Sequence, residues 1–351
     1  MERTLAIIGY GGMGQWHGRQ IREKLPGIHV KGAYDVRHEM LEKAQGDGLY
    51  PYPSLEAVLR DPRVDMVTIA TPNNFHRDIA IACLQAGKHV ICEKPVTLTP
   101  EELEEIMAVA EKTGRLFTVH QNRRWDKDFR MIKALAEGGA IGKPYAIESR
   151  VLGSRRVLHG WRGHKLNGGG MVYDWGVHLF DQLLWLVDSP VVQVFAQTRS
   201  IFTQEVDDNF KAMLLFENGL SALVEVATNC FVSLPRFHMC CTDGTVLIDK
   251  WGEAGRVIKL SSDEIPAWDD EIVYTTAGPT RTMAPLPREA LEELPLPQVE
   301  ADWKCFYENV LDALAGRAEL IVKPQEALRV LRLIQCVFES AKTGASVACR
   351  I

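Results

Sequence analysis

The stretch Gly168–Asp181 reads GGGMVYDWGVHLFD and sets Asp174 and His178 four residues apart in a segment of helical character. On a helix, residues at that spacing are neighbours, with Cβ atoms about 5–6 Å apart. A carboxylate so placed can fix the orientation and tautomer of an imidazole, which exchanges a proton near neutral pH. Asp174 and His178 are therefore a candidate acid–base unit; the plainer alternative is a helix whose Asp and His meet only water or each other. The glycines just before it, Gly168–Gly170, let the backbone come close to a ligand or to another strand.

A second chemical signal lies at the start of the chain. Arg3–Gly14, RTLAIIGYGGMG, is an apolar strand running into G-x-G-x-x-G at Gly9, Gly11 and Gly14, with helical Gln15–Lys24 behind it. Strand, tight turn and helix form the context that this fingerprint requires. Gly9 would make the turn, Gly11 would admit a pyrophosphate and Gly14 would let helix and strand pack. Gly12 and Met13 share that loop and count as cofactor contacts. Strand His29–Tyr34 ends at Asp35, where an acidic residue hydrogen-bonds an adenosine ribose 2′-hydroxyl and repels a 2′-phosphate. The cofactor expected is NAD, with NADP the lesser choice. Arg37 tempers this, because a guanidinium there could serve a 2′-phosphate or stack on adenine.

The elements that position these groups alternate through the first third: strands Leu5–Ile8, Val30–Tyr34, Met66–Ala70, His89–Cys92 and Leu116–His120, with helices between them. This is the pattern of a doubly wound parallel sheet. Thr99, Pro100 and Glu102 mark a helix start with a capping box. Ligands of such sheets sit beyond the carboxyl ends of the strands, which singles out Thr71–His76, Glu93–Pro95 and Gln121–Trp125. After Trp125 the segments Tyr145–Leu152, Val191–Gln197, Asn209–Phe216, Leu220–Thr228, Arg236–Thr242 and Thr245–Asp249 alternate in polarity between turn signals. They predict an open-faced, mostly antiparallel sheet crossed by a helix over Gly168–Val187. The expected division is a Rossmann domain over 1–124 and an α+β substrate-binding and oligomerisation domain over 125–351. Ser261–Gln298, rich in proline and charge, is expected to be a long loop or lid.

Composition narrows the class. The 351 residues are 46% hydrophobic and 25% charged, with a net charge of −6, which suits a globular protein of two domains. With no basic run, neither nucleic acid nor an anionic membrane is an expected partner. No apolar run approaches the roughly 20 residues of a membrane span, and the chain enters its first strand without a signal-peptide pattern. Eight cysteines without C-x-x-C fit reduced thiols and a cytoplasmic location. Ten histidines show no H-E-x-x-H or other metal-ligand spacing, so no metal is expected.

The ordered set GYGGMG, Ala70-Thr71-Pro72-Asn73 with His76, Cys92-Glu93-Lys94-Pro95 and GGGMVYDWGVH resembles the glucose–fructose oxidoreductase / inositol dehydrogenase / MocA family over nearly the whole chain. The resemblance implies a Rossmann domain joined to an open-faced sheet, with the active site between them and a secondary alcohol of a sugar, cyclitol or sugar derivative as substrate. It implies that Lys94 stabilises the reacting oxygen, that His178 is the general base and that Asp174 orients His178 and binds a neighbouring hydroxyl. It places Thr71, Pro72, Asn73, Glu93 and Gln121 at the cofactor, with His76 either beside it or packing its helix. Arg124 and Trp125 fall where the family often places substrate contacts, and Trp161, Arg162 and Tyr173 are further candidates, with His159 and His164 flanking. The resemblance further implies pairing of the open sheet face in a homodimer or homotetramer. The activity expected is that of an NAD(P)-dependent dehydrogenase. The alternatives are an enzyme that retains NAD and uses transient oxidation for epimerisation, elimination or glycoside cleavage, and a nucleotide-binding redox sensor.

Overall fold

The computed structural model describes residues 2–252, 255–262, 267–269, 271–281 and 286–351. The first sheet joins β1 (Arg3–Ile8), β2 (Ile28–Tyr34), β3 (Tyr50–Pro51), β4 (Met66–Ile69), β5 (His89–Cys92) and β6 (Phe117–Val119). All pairings are parallel, in the order β3-β2-β1-β4-β5-β6. Apolar runs such as Leu5–Ile8 are fully buried because helices cover both faces. Those helices are α1 (Gly12–Lys24), α2 (His38–Gly46), α3 (Leu55–Arg60), α4 (His76–Gln85) and α5 (Pro100–Thr113). The last opens with the capping box of Thr99 and Glu102. Strand order reverses between β1 and β4, which opens a crevice at their carboxyl ends.

The second sheet has nine strands: β7 (Pro144–Leu152), β8 (Val191–Arg199), β9 (Asn209–Phe216), β10 (Ser221–Ala227), β11 (Phe237–Cys241), β12 (Gly244–Ile248), β13 (Gly255–Leu260), β16 (Leu291–Leu294) and β17 (Val347–Ala348). Its order is β16-β13-β12-β11-β7-β10-β9-β8-β17, and only β7 and β10 pair in parallel. The parallel first sheet and mostly antiparallel second sheet are the architecture that the sequence implies. Ser261–Gln298 differs from a plain loop where it is described. It supplies a hairpin, β14 (Ile272–Thr275) and β15 (Gly278–Arg281), and the strand β16, because β16 completes the ladder of β13. Residues 263–266, 270 and 282–285 of that expected lid lie outside the described residues.

One face of the second sheet packs on α6 (Lys127–Gly138), α7 (Val177–Leu186) and α9 (Pro324–Thr343). The chain also returns to the first core, where Phe306, Tyr307 and Val310 of α8 (Lys304–Leu314) are buried. Helix α9 straddles both, giving Ala327 and Leu331 to one core and Leu333, Ile334 and Val337 to the other. Each of these leucine, isoleucine and valine side chains is worth about 1.5–3 kcal/mol of burial, so α9 fixes the two sheets against each other and sets the walls of the cleft between them.

Candidate active site

The crevice opens into a cavity of about 1020 Å³ between the two sheets. At one end Gly9 turns the chain with φ +92°, and a Cβ there would lie 2.6 Å from the Ala70 carbonyl oxygen. A Cβ on Gly14 would fall 2.0 Å from the Gly9 carbonyl oxygen. Gly14 therefore seats α1 against the turn and lies behind the cavity wall, which Gly9, Gly11, Gly12 and Met13 form. Helix α1 starts without a capping side-chain hydrogen bond, so its first amides are left to meet an anion. This cradle fits a dinucleotide pyrophosphate.

Asp35, 8% exposed, follows β2 on the same wall. Its Oδ2 accepts from the Tyr10 amide at 2.8 Å, and its Oδ1 accepts from the Arg37 amide at 2.9 Å and from Arg37 Nε at 3.3 Å. Acid and guanidinium thus share this end of the cavity. Thr71, Pro72 and Asn73 line the middle of the cavity. His76 does not reach it. Its Nδ1 faces the Pro95 carbonyl at 3.0 Å and its Nε2 the Thr71 carbonyl at 2.9 Å, so it ties the two polar loops together from behind.

At the far end Lys94 Nζ donates to the Asp174 backbone oxygen at 2.8 Å and to Oδ1 at 3.0 Å, while Arg162 Nε donates to Oδ2 at 3.0 Å. Burial pushes the Asp174 carboxyl up, but the two cations hold it below the usual range. His178 is 4% exposed, and its Nδ1 lies 3.1 Å from Gln121 Oε1. A carbonyl oxygen only accepts, so Nδ1 carries the proton and Nε2 keeps its lone pair. Burial, then Lys94 and Arg123, press the His178 pKa well below its ordinary value.

No hydrogen bond joins Asp174 to His178 among the described residues, which corrects the expected pairing. Val172–Gly176 forms a wide π-type turn before α7 begins. A turn wider than 3.6 residues shifts the angular offset of i and i+4, so Asp174 meets Lys94 while His178 meets Gln121. The glycine run serves close packing: a Cβ on Gly168, Gly169 or Gly170 would strike Leu98, the Arg162 carbonyl or Asp207, respectively.

Glu93 stands at the floor of the cavity on a buried brace. Its Oε1 receives His17 Nε2 at 2.8 Å and His120 Nδ1 at 2.9 Å, its Oε2 receives the Lys94 amide at 3.1 Å, and His17 Nδ1 meets Tyr307 Oη at 2.8 Å. Burial pushes the Glu93 carboxyl up, and the two histidines hold it well below its ordinary value. The ligand atoms of His17, Glu93 and His120 lie within 4.8 Å of one another; as they stand they are engaged with each other. Neither histidine is a sequence candidate, since His17 on α1 and His120, just past β6, become neighbours only in the folded chain.

The substrate candidates divide. Trp161 and Arg162 line the cavity. Arg124 and Trp125 do not, because a tight 3₁₀ turn over Asn122–Trp125 points successive side chains in different directions. Arg124 makes a buried fork to Asp181, with both contacts at 2.7 Å, and reaches Glu326 at 2.9 Å. Trp125 packs in the first core against Phe306. The cavity receives Arg123 instead, together with Trp175; a shift of one residue decides the first of these. Tyr173 donates to the Leu98 carbonyl at 2.8 Å and packs at a tilt against Phe338, away from the cavity. His164 faces Glu205 at 3.2 Å, and neither it nor His159 lines the cavity.

Two sheets with a dinucleotide cradle and an acid–base cluster between them define an oxidoreductase architecture. Residues 3–121 match the description "Oxidoreductase family, NAD-binding Rossmann fold" and residues 129–247 the description "GFO/IDH/MocA C-terminal domain", so the chain belongs to the GFO/IDH/MocA oxidoreductase family. It is 28% identical to the scyllo-inositol 2-dehydrogenase (NADP(+)) IolW of Bacillus subtilis, with 98% of this chain and 95% of that protein covered. It is 27% identical to the myo-inositol 2-dehydrogenase of Thermotoga maritima, with 63% and 67% covered. The crystal structure of an NAD-binding protein from Listeria innocua superposes with a TM-score of 0.95 at 44% identity, with 99% of each chain covered.

Proposed function

We propose that this chain is an NAD(P)-dependent dehydrogenase acting on a secondary alcohol of a sugar, cyclitol or sugar derivative. The observation that carries the reading is His178, held neutral with Nδ1 tied to Gln121 and Nε2 unengaged, beside Lys94 in a cavity continuous with the glycine cradle. A nicotinamide dinucleotide, when bound, supplies the hydride acceptor. The hydroxyl proton passes to His178 Nε2, so the carbinol loses a hydride and a proton and becomes a ketone. Lys94 hydrogen-bonds the oxygen as negative charge grows on it. Asp174 fixes the Lys94 ammonium on one side and the Arg162 guanidinium on the other. Glu93, an anion with fixed acceptors, suits the ribose hydroxyls of the nicotinamide half.

Asp35 supports a preference for NAD over NADP, although a relative carries NADP(+) in its name. The outer face of the second sheet exposes Phe195, Met213 and Leu215, an apolar surface that suits pairing between copies. We expect a homodimer or homotetramer; light scattering at the 39.3 kDa chain mass at micromolar concentration would contradict it. No helix among the described residues is long and apolar enough to cross a membrane, and a cytoplasmic enzyme is the reading that we favour. Screening NADH and NADPH formation across inositols, aldoses and glycosides tests the activity. Turnover without added dinucleotide, by protein that already absorbs as a nicotinamide, would favour the cofactor-retaining alternative. Dinucleotide binding with no turnover of any polyol would favour a sensor.

A further inference from the structure

The substrate end of the cavity carries more cationic donor capacity than a neutral polyol uses. Arg123 and Arg162 both line it, next to Lys94. Arg162 spends Nε on Asp174, and Arg123 spends Nη1 on Asp126 at 3.0 Å. Arg162 Nη1 and Nη2 and Arg123 Nη2 have no protein acceptor among the described residues. Each guanidinium is backed by indole: Arg162 lies 4.5 Å from the Trp161 ring centroid, and Arg123 lies 4.3 Å from Trp175 and 5.1 Å from Trp251. Stacking of this kind holds a planar fork in place, so little freedom is lost when it takes a partner.

Lys94, Arg123 and Arg162 are set against the carboxylates of Asp174, Asp126 and Glu93, so what marks this end is the open N–H donors of the two guanidinium groups and not a net charge. The nearby Arg236 is neutralised by Asp128 at 3.3 Å. Glu93 is adjacent and accepts from His17, His120 and the Lys94 amide, and neither Arg123 nor Arg162 donates to it among the described residues. Open N–H donors on two guanidinium groups held against indole match a carboxylate, which takes two parallel N–H bonds from a guanidinium.

Resting on the dehydrogenase reading of this same cavity, we infer that the substrate is a sugar acid, a polyol whose carboxylate is received by Arg123 and Arg162 while a hydroxyl-bearing carbon faces His178 and Lys94. The inference goes beyond inositols and free sugars, which bring no charge to the two forks. It also gives the Trp161–Arg162 turn, which stands just ahead of the glycine run, a role in selecting substrate.

The test reads binding and turnover separately. The NADH-loaded protein is titrated calorimetrically with D-glucuronate, D-galacturonate and D-gluconate, each against its neutral parent sugar, and with D-glucose 6-phosphate. At least one acid should bind tenfold or more tightly than its parent. Arg123→Gln and Arg162→Gln should each cut that ratio at least fivefold while NADH affinity, measured by fluorescence, stays unchanged and reports a folded protein. Equal binding of acids and neutral parents overturns the inference, as does failure of every acid to bind at millimolar concentration. Survival of the preference in both variants, or tighter binding of the phosphate than of any acid, overturns it equally. NADH formation from the preferred acid is then followed with the free oxidised cofactor. Binding of an acid without oxidation of it or any polyol defeats the dehydrogenase reading and leaves the anion pocket standing. Oxidation of neutral polyols alone does the reverse.

Discussion

The two ends of the cavity are built in different ways. At the adenosine end the chain offers main chain: the turn at Gly9, the uncapped start of α1, and one carboxylate fixed by two backbone amides. Almost all of it comes from two short stretches, Gly9–Gly14 and Asp35–Arg37. At the end proposed for catalysis it offers side chains from four separated segments, with Lys94, Gln121, Arg162, Asp174 and His178 held by ion pairs and single hydrogen bonds. A backbone site is specified by local φ/ψ and tolerates little but glycine. A side-chain site is specified by the phase at which each element enters, and one residue of slip replaces one side chain with another.

The sharpest way to probe that phase is to compare neighbours. Arg124→Gln removes the partner of Asp181, which is 2% exposed, and a buried carboxylate left without its counter-ion costs about 3–5 kcal/mol. Urea unfolding should show the loss directly, while the folded fraction binds NADH as before. Arg123→Gln, one residue earlier and open to the cavity, should leave the unfolding midpoint nearly unmoved. Equal stability of the two variants would mean that the turn over Asn122–Trp125 does not sort these side chains as described.

Next in size are the reacting groups. Lys94→Ala and His178→Ala should each lower turnover by roughly a hundredfold or more, the range of a positioned acid–base group or oxyanion donor. Their contribution comes as charge moves, so kcat and kcat/KM should fall together, with NADH affinity little changed because the cradle is independent of them. Since His178 is pressed well below its ordinary pKa, it stays neutral as pH falls through 6.5. The acid limb of turnover should therefore appear well below pH 6.5, once the imidazole finally protonates. A limb at the usual histidine value would show that His178 is not the titrating base.

The same contrast explains what the sequence disclosed. The first sheet was legible because strands such as Leu5–Ile8 and Met66–Ile69 are buried apolar runs and the helix behind Thr99–Glu102 carries its own start signal; the two-residue β3, half exposed, left no such trace. The glycine cradle was legible because its motif is contiguous. The partner of His178 was not, since the spacing of Asp174 and His178 assumes a regular helix and Val172–Gly176 is wider. Arg123 and Trp175 were passed over because a 3₁₀ turn and a π-type turn leave no periodic trace in polarity. His17 and His120 meet Glu93 only through the packing of α1 on the sheet, and Tyr307 reaches His17 across 290 residues of chain.

Gln121 tests how far an uncharged neighbour can set the base. In Gln121→Ala the imidazole loses the acceptor that keeps the proton on Nδ1, and part of the population carries it on Nε2, where it cannot accept from substrate. Turnover should fall about tenfold, a smaller loss than removing the base itself, and KM for the polyol should move less than kcat. Unchanged turnover would leave some other group holding the tautomer.

The smallest effect is expected at the backbone-built end, at Asp35. The parent protein should bind NADH more tightly than NADPH, because the carboxylate can accept from the ribose 2′-hydroxyl and repels a phosphate in its place. Asp35→Ala removes the hydrogen bond and the repulsion together, so NADH binding should weaken severalfold while NADPH binding holds or improves, and the gap between them should narrow. Arg37 sharpens the experiment. In the parent its Nε lies 3.3 Å from Asp35 Oδ1, and loss of the acid frees the guanidinium to meet a 2′-phosphate. Arg37→Ala in the Asp35→Ala background should then take away whatever NADPH binding the first change gained. If the parent already binds NADPH as well as NADH, the guanidinium governs this end, and the adenosine site is set by a side chain after all.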